Sequence, residues 1–384
     1  MSLRAWTQPP YQGDSKAMAS RPDQTWIRRW LSGLGWGSSP GPGAPAAPTA
    51  STEPLRLNLA LQGGGAHGAF TWGVLDALLD QPRLQIEGLS GSSAGAMNAV
   101  LFADGWLKGG RDGARRSLES FWTGIGQQMP WGLLAQKQDD RVGLSPLGKM
   151  LYRWSGIFSP AQLNPFDLNP LRDLLVSQVD FERLRRHSPF KLFIGATQAS
   201  SGKLRIFREH ELTVDMMLAS ACLPRIHHPI RIDGEVYWDG GFSANPPVAP
   251  LFYDCESRDL LLVLLNPLLR HGVPHTRPEI EARITELAFT ANFMGEMRLL
   301  VQAIQASRAA PAGRLEQGLQ QLRFHMIDTR ELAAFQQSDT KLLAYGPFLE
   351  WLRDLGRERG RAWWGAYSAT LGQRSSIDIE ALFG

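Results

Sequence analysis

Hydrophobic and polar residues alternate strictly over Leu55-Arg-Leu-Asn-Leu-Ala-Leu61, which predicts a strand, and a glycine cluster follows it at once. Ala69 to Leu79 then places Phe70, Val74, Leu75, Leu78 and Leu79 at helical spacing. A second short strand near Ile86 to Leu89 runs into Gly91-Ser-Ser-Ala-Gly95 and an apolar helix from Ala96 to Phe102. Further strands are predicted at Phe190 to Thr197, Leu204 to Phe207, Arg231 to Trp238, Leu260 to Leu265 and Arg323 to Ile327. Helices fall between them, at Val214 to Ala221 and over a long stretch around Pro278 to Ser307. Strands that alternate with helices predict an α/β fold with a mostly parallel central sheet flanked by helices. Ala103 to Pro189, with scattered Trp, Pro and Gly, reads as helices and loops covering one end of that sheet.

The ends of the chain follow other patterns. Gly37 to Pro54 is a Pro/Ala/Gly/Ser tract without hydrophobic period, which predicts a flexible linker. Before it, Trp26, Trp30 and Leu34 would share one helix face, with Ile27 and Leu31 beside them and Trp36 just beyond. That face suits a membrane surface or a partner groove, but Gly33 and Gly35 weaken a free helix. Folding back on the protein's own surface is the first expectation, and peripheral membrane contact the second. Near the C-terminus, Leu342, Leu343, Phe348, Leu349, Trp351, Leu352, Leu355, Trp363 and Trp364 mark a helix-rich stretch expected to pack on the protein itself.

Composition narrows the function. The 384 residues hold 40 basic and 37 acidic side chains, a net charge of +3, which argues against nucleic acid as a partner. A hydrophobic content of 43% can fill a core. Cys222 and Cys255 cannot make a disulfide framework, and no apolar run is long enough for a transmembrane helix. The N-terminus lacks the apolar core of a signal peptide, so a cytoplasmic globular protein is expected.

Two glycine-rich turns carry the chemistry. Gly91-Ser92-Ser93-Ala94-Gly95 fits G-x-S-x-G between a strand and a helix, the setting of a nucleophile elbow. Ser93 is the candidate nucleophile, and the helix starting near Ala94 aims its amides at developing negative charge. Gly63-Gly64-Gly65-Ala66-His67-Gly68 also satisfies G-x-G-x-x-G, and Glu87 stands where a dinucleotide fold keeps its ribose-binding acid. A dinucleotide fold has no use for a second elbow, however, whereas glycine amides beside a nucleophilic serine can hold an oxyanion. An acyl hydrolase explains both turns together. For a Ser-His-Asp arrangement the candidate bases are His271, His275 and His325, with Asp239 as the acid, and nothing around those histidines marks one as a base. His227 and His228 are adjacent rather than at ligand spacing, so no metal is expected.

Asp239-Gly240-Gly241, after a strand and before Phe242-Ser-Ala-Asn-Pro-Pro, resembles the D-G-G/A element of the patatin-like phospholipases. Gly63 to Gly68 is similar to that family's oxyanion loop, and Gly91 to Gly95 to its elbow. Ala219-Ser-Ala-Cys-Leu-Pro224 resembles the segment before its acid-bearing strand. The four motifs, in the family's order, span about Leu57 to Phe252. The resemblance implies a patatin-like layered fold and a Ser93–Asp239 dyad without histidine. It also implies a lipid ester as substrate, whether phospholipid, lysophospholipid or neutral glyceride, and no cofactor. Gly63, Gly64, Gly65 and Ala94 become the expected oxyanion donors, supported by Gly68, Gly91, Gly95, Gly240 and Gly241. One departure is His67, which stands where many members carry Arg or Lys. The implied organisation is a tail and linker over 1–54, a catalytic domain over 55–257, and a C-terminal part of the same globule over 258–384.

Overall fold

The computed structural model describes residues 54–127, 135–138, 141–145, 160–270, 272–309, 313–330, 332, 335 and 339–384. All belong to one compact unit, Thr52–Gly384. The tryptophan-rich segment, the linker up to residue 53 and His271 lie outside the described residues.

In chain order, β1 (Leu55–Leu61) leads through a 3-10 turn at Gly65–His67 into α1 (Gly68–Leu79), β2 (Leu84–Ser92) and α2 (Ala94–Gln127). A hairpin, β3 (Ala135–Gln138) and β4 (Arg141–Leu144), is followed by α3 (Pro160–Leu163), α4 (Pro170–Gln178) and α5 (Phe181–His187). Then come β5 (Lys191–Gln198), β6 (Leu204–Arg208), α6 (Val214–Ser220), β7 (Ile230–Ile232) and β8 (Glu235–Asp239). The last part holds α7 (Ala249–Asp254), β9 (Asp259–Val263), α8 (Arg277–Ala288), α9 (Ala291–Arg308) and α10 (Arg314–Gln320). It ends with β10 (Arg323–Ile327), α11 (Gly346–Tyr367) and α12 (Ile379–Phe383).

The main sheet runs β10-β9-β1-β2-β5-β8-β7, with β6 also on β5. Strands β10, β9, β1, β2 and β5 are parallel, while β6, β7 and β8 pair antiparallel. Alternation along the strands divides the core between two faces. Leu57, Leu59 and Leu61 of β1, with Leu261 and Val263 of β9, pack with α1, α2 and α11. Ala60, Leu260 and Leu262 pack on the other face with residues of α7, α9, α10 and α12. The parallel strands are therefore covered on both sides, as buried parallel sheets require.

Helix α1 is buried along its whole length, and α11 crosses it at glycine contacts. A Cβ at Gly73 would collide with the Arg353 carbonyl, and one at Gly356 with the Phe70 carbonyl. This tight crossing fixes the helix that leaves the glycine loop.

Three predicted elements differ in detail. The expected strand Arg231 to Trp238 is a hairpin, because Asp233 and Gly234 adopt φ of 51° and 84° and turn the chain in two residues. The stretch Pro278 to Ser307 is two helices, broken at Phe289-Thr290. The helix expected to end at Phe102 continues to Gln127 across a kink, where Gly110 takes a φ of 58°.

Candidate active site

β1, β2 and β9 all end at the same edge of the sheet, so the turns after Leu61, Ser92 and Val263 gather there, where open α/β sheets bind ligands. After Ser92 the chain turns in one residue. Ser93 has a φ of 54°, a left-handed conformation that costs a non-glycine residue about 1–2 kcal/mol. Its N–H donates to both the carbonyl and Oγ of Ser220 at 3.1 Å, which holds the turn. Ser220 Oγ in turn donates to the Gly195 carbonyl at 2.6 Å. Two glycines of the elbow leave no room for a side chain. A Cβ at Gly91 would stand 2.5 Å from the Gly95 carbonyl carbon, and one at Gly95 would meet the Leu61 carbonyl.

Register brings Asp239 to the serine. Strand β6 occupies one edge of β5, pairing with both Gly195 and Ala196. On the other edge β2 pairs as far as Ser92↔Gly195, and β8 takes over at once with Asp239↔Ala196. Ser92 and Asp239 are thus consecutive along a single strand edge. Gly240 makes the junction possible, since a Cβ there would collide with the Gly195 carbonyl and lie 2.8 Å from Ser92 Oγ.

Asp239 is fully buried. Its N–H donates to the Cys222 carbonyl at 2.8 Å, and its carbonyl accepts from Thr197 Oγ1 at 2.8 Å. The Gly241 N–H donates to Oδ1 at 2.7 Å, while Oδ2 makes no geometric hydrogen bond among the described residues. Burial pushes this carboxyl up to about 7, against the Gly241 N–H and the nearby Ser93 hydroxyl, which both favour the ionised form. Cys222, beside it, is buried and its thiol is pushed up to about 11, so it stays neutral.

The glycine loop lies directly on the elbow. A Cβ at Gly63 would collide with the Ser92 carbonyl and stand 2.8 Å from Ser93 Cβ, and one at Gly68 would stand 2.6 Å from Ala94 Cβ. One expected donor is already committed: the Gly63 N–H is given to Asn245 Oδ1 at 2.7 Å, so it cannot also meet an oxyanion. Asn245 Nδ2 returns a bond to the Gly63 carbonyl at 3.3 Å, clamping that peptide on both sides. The N–H groups of Gly64, Gly65 and Ala94 donate to no acceptor among the described residues. Gln62 braces the loop from below, donating to the Asn245 carbonyl and accepting from the Leu265 and Asn266 amides. Asn245 and Gln62 were not singled out from the sequence. Asn245 lies in the stretch after Asp-Gly-Gly, and only its long-range partner reveals what it does.

Of the rival candidates, Glu87 and His325 are engaged elsewhere. Glu87 holds Lys191 and accepts from the amides of Glu256 and Ser257, so its carboxylate ties β2 to β5 and to the turn before β9. His325 joins Ser376 Oγ and Asp259 Oδ1, each at 3.0 Å, in a network that also includes Arg323 and the Gly372 amide. His275 presents its backbone N–H to Glu279. His67 is buried and shares a hydrogen bond of 2.8 Å with Thr340 Oγ1, its other ring nitrogen without a partner among the described residues. Its ring packs on Phe335, and burial, with Lys341 nearby, holds it well below the usual histidine range, so it stays neutral. No group of three or more metal-ligating side chains occurs among the described residues, and no helix among them is long and apolar enough to cross a membrane.

A family model for patatin-like phospholipases matches residues 59–252, half of the chain, and takes in both glycine turns and Asp239-Gly240-Gly241. Among solved structures, VipD from Legionella pneumophila is similar at 17% identity, with a TM-score of 0.33, covering 79% of this chain and 67% of that one. No curated protein matches.

Proposed function

The chain belongs to the patatin-like phospholipase family, and from that premise we propose that it hydrolyses lipid acyl esters through a Ser93–Asp239 dyad. In this reading Ser93 Oγ attacks the ester carbonyl while Asp239 Oδ2 accepts its proton. The amides of Gly64, Gly65 and Ala94 receive the oxyanion, with the positive end of α2 behind Ala94. Asp239 then returns the proton to the departing alcohol, and a water that it activates releases the acyl group from Ser93.

The observation that carries this reading is the hand-over from β2 to β8 on β5, which sets a fully buried carboxylate with one unclaimed oxygen beside a serine in a left-handed turn. An ordinary aspartate near pKa 4 is a weak base, whereas one raised to about 7 is matched to neutral pH. The commitment of Glu87 to Lys191 and two amides removes the main support for a dinucleotide site.

A fluorophosphonate probe mapped by mass spectrometry tests the dyad. The expected adduct is on Ser93, absent in Ser93→Ala and formed about 10³-fold more slowly in Asp239→Asn. An unlabelled wild type beside a reactive control enzyme would sink the hydrolase reading. Turnover of acyl glycerol esters is the companion assay.

A further inference from the structure

Beside the glycine loop, Arg270 and Arg283 share one carboxylate, and Lys341 stands close enough to feel both its charge and that of Arg270. The main chain of Lys341 rests on Gly65, where a Cβ would collide with its carbonyl oxygen. From there its side chain reaches Asn266, whose Oδ1 accepts from Nζ at 2.6 Å. Asn266 is fixed in turn by its N–H on Gln62 Oε1 at 2.8 Å, and the preceding Leu265 packs against Gly64. Arg270 pairs with Glu286 Oε2 at 2.6 Å, and Arg283 reaches the same oxygen at 3.3 Å. Glu286 is buried under both. Lys341 forms no ion pair among the described residues, and its only hydrogen-bond acceptor there is the neutral amide of Asn266. Burial lowers its amine to about 8; Glu286 favours its charged form and Arg270 opposes it, so all three groups sense one another.

A partly buried ammonium without a carboxylate partner is incompletely compensated, and an incoming anion supplies charge-assisted hydrogen bonds that water no longer provides. Gly65 is exposed, and it is one of the proposed oxyanion donors. In a glycerol ester the carbonyl and a phosphate on the next carbons are only a few bonds apart. We propose that Lys341, Asn266 and Arg270 form an anion site for the phosphate of the substrate's head group, favouring lipid esters of net negative head group over zwitterionic and neutral ones. This rests on the hydrolase reading above. A choline head group would add a fixed positive charge to a cluster in which, among the described residues, three cations face the single carboxylate of Glu286, whereas a terminal phosphate adds the opposite charge. These residues lie beyond the stretch that matches the family.

The test uses the full chain and three esters with the same acyl group in the same detergent micelles: 1-acylglycerol, its 3-phosphate and its 3-phosphocholine. Wild type is expected to turn over the phosphate at least about tenfold faster in kcat/KM than the other two. Lys341→Met should lower the ratio of phosphate to neutral ester about tenfold, and Arg270→Gln should move it the same way. Because a folding defect lowers all three rates together, the ratio isolates the site, and the wild-type order decides the matter even where a variant fails to fold. Equal rates in wild type, or a ratio that Lys341→Met leaves unchanged, would overturn the head-group site while leaving the hydrolase standing. Turnover of none of the esters, with Ser93 unlabelled, removes the hydrolase reading and this inference with it. Inorganic phosphate separates the two sources of the anion: if it accelerates neutral-ester turnover, the cluster takes free phosphate as an effector and the head-group assignment fails.

Discussion

Replacing Asp239 by asparagine should make the protein more stable at alkaline pH while removing its proposed base. A carboxyl moved from 3.8 to about 7 by burial costs the folded state roughly 4 kcal/mol once ionised, at about 1.4 kcal/mol per tenfold step. The folded pKa lies above the unfolded one, so the folded state holds the extra proton between them. Stability is therefore fully retained below about 3.8, falls as pH rises, and is lowest above about 7. Asparagine removes that slope. It keeps an oxygen for the Gly241 N–H, but of the two N–H bonds on its NH2 the Ser93 hydroxyl can accept one, leaving a buried donor unsatisfied at about 1–3 kcal/mol. The net expectation is a variant more stable by about 1–3 kcal/mol above about pH 8, an advantage that shrinks and reverses towards about pH 4. Denaturant titrations of both proteins across that range, read by circular dichroism, measure the difference directly. A difference that does not change with pH would refute the assignment of a costly ionised carboxylate at this position. The activity counterpart has the opposite sense: wild-type kcat/KM should rise as pH passes through about 7, because only ionised Asp239 can accept the serine proton.

Asn245→Ala frees both sides of the Gly63 peptide and should lower kcat about 10²-fold, close to the loss of one oxyanion donor, with the melting curve reporting a smaller stability loss. His325→Phe should leave kcat/KM within about twofold of wild type and cost about 2 kcal/mol, because Asp259 loses one of its partners in a network remote from Ser93. Within α11, Gly356→Ala drives a methyl into the Phe70 carbonyl and should cost about 1–3 kcal/mol. Gly365→Ala, with open space around it, should instead stabilise the same helix by up to about 1 kcal/mol in denaturant titration.

Much of this architecture is legible in the chain because its determinants are local. Leu55–Leu61 and Arg323–Ile327 are strands over the residues their patterns indicate. The elbow is recognisable because a small-residue turn between strand and helix is itself what an exposed serine requires. Asp233-Gly234 was equally local, and its two-residue hairpin was hidden only because the flanking residues read as one continuous strand. What sequence order does not contain is partnership across long separations. Asn245 clamps Gly63, Gln62 braces Leu265 and Asn266, and Lys341 rests on Gly65, yet each is an ordinary polar residue among its neighbours. The expected donation by Gly63 fails for the same reason, since its amide is taken by a residue far along the chain.

The hand-over on β5 also explains why a dyad needs so many small residues around it. Side chains alternate between sheet faces, so a slip of one position in β8 would carry Asp239 to the face opposite its present one. Turn chemistry alone would not prevent that slip, because β8 is short and antiparallel. Close packing prevents it. A Cβ at Gly195 would stand 2.6 Å from Ser92 Oγ, and Gly240 meets both the Gly195 carbonyl and Ser92 Oγ. Ser92 Oγ is itself fixed by donating to the Ala244 carbonyl at 2.7 Å. A slip that moved Asp239 into the place of Gly240 would bring a side chain into a space that admits only glycine. The glycines thus select the register, the register delivers the carboxylate to the end of β2, and the burial that follows raises its pKa into the range of a useful base. In this sense Gly195 and Gly240 are as necessary to the proposed chemistry as the two side chains that would carry it out.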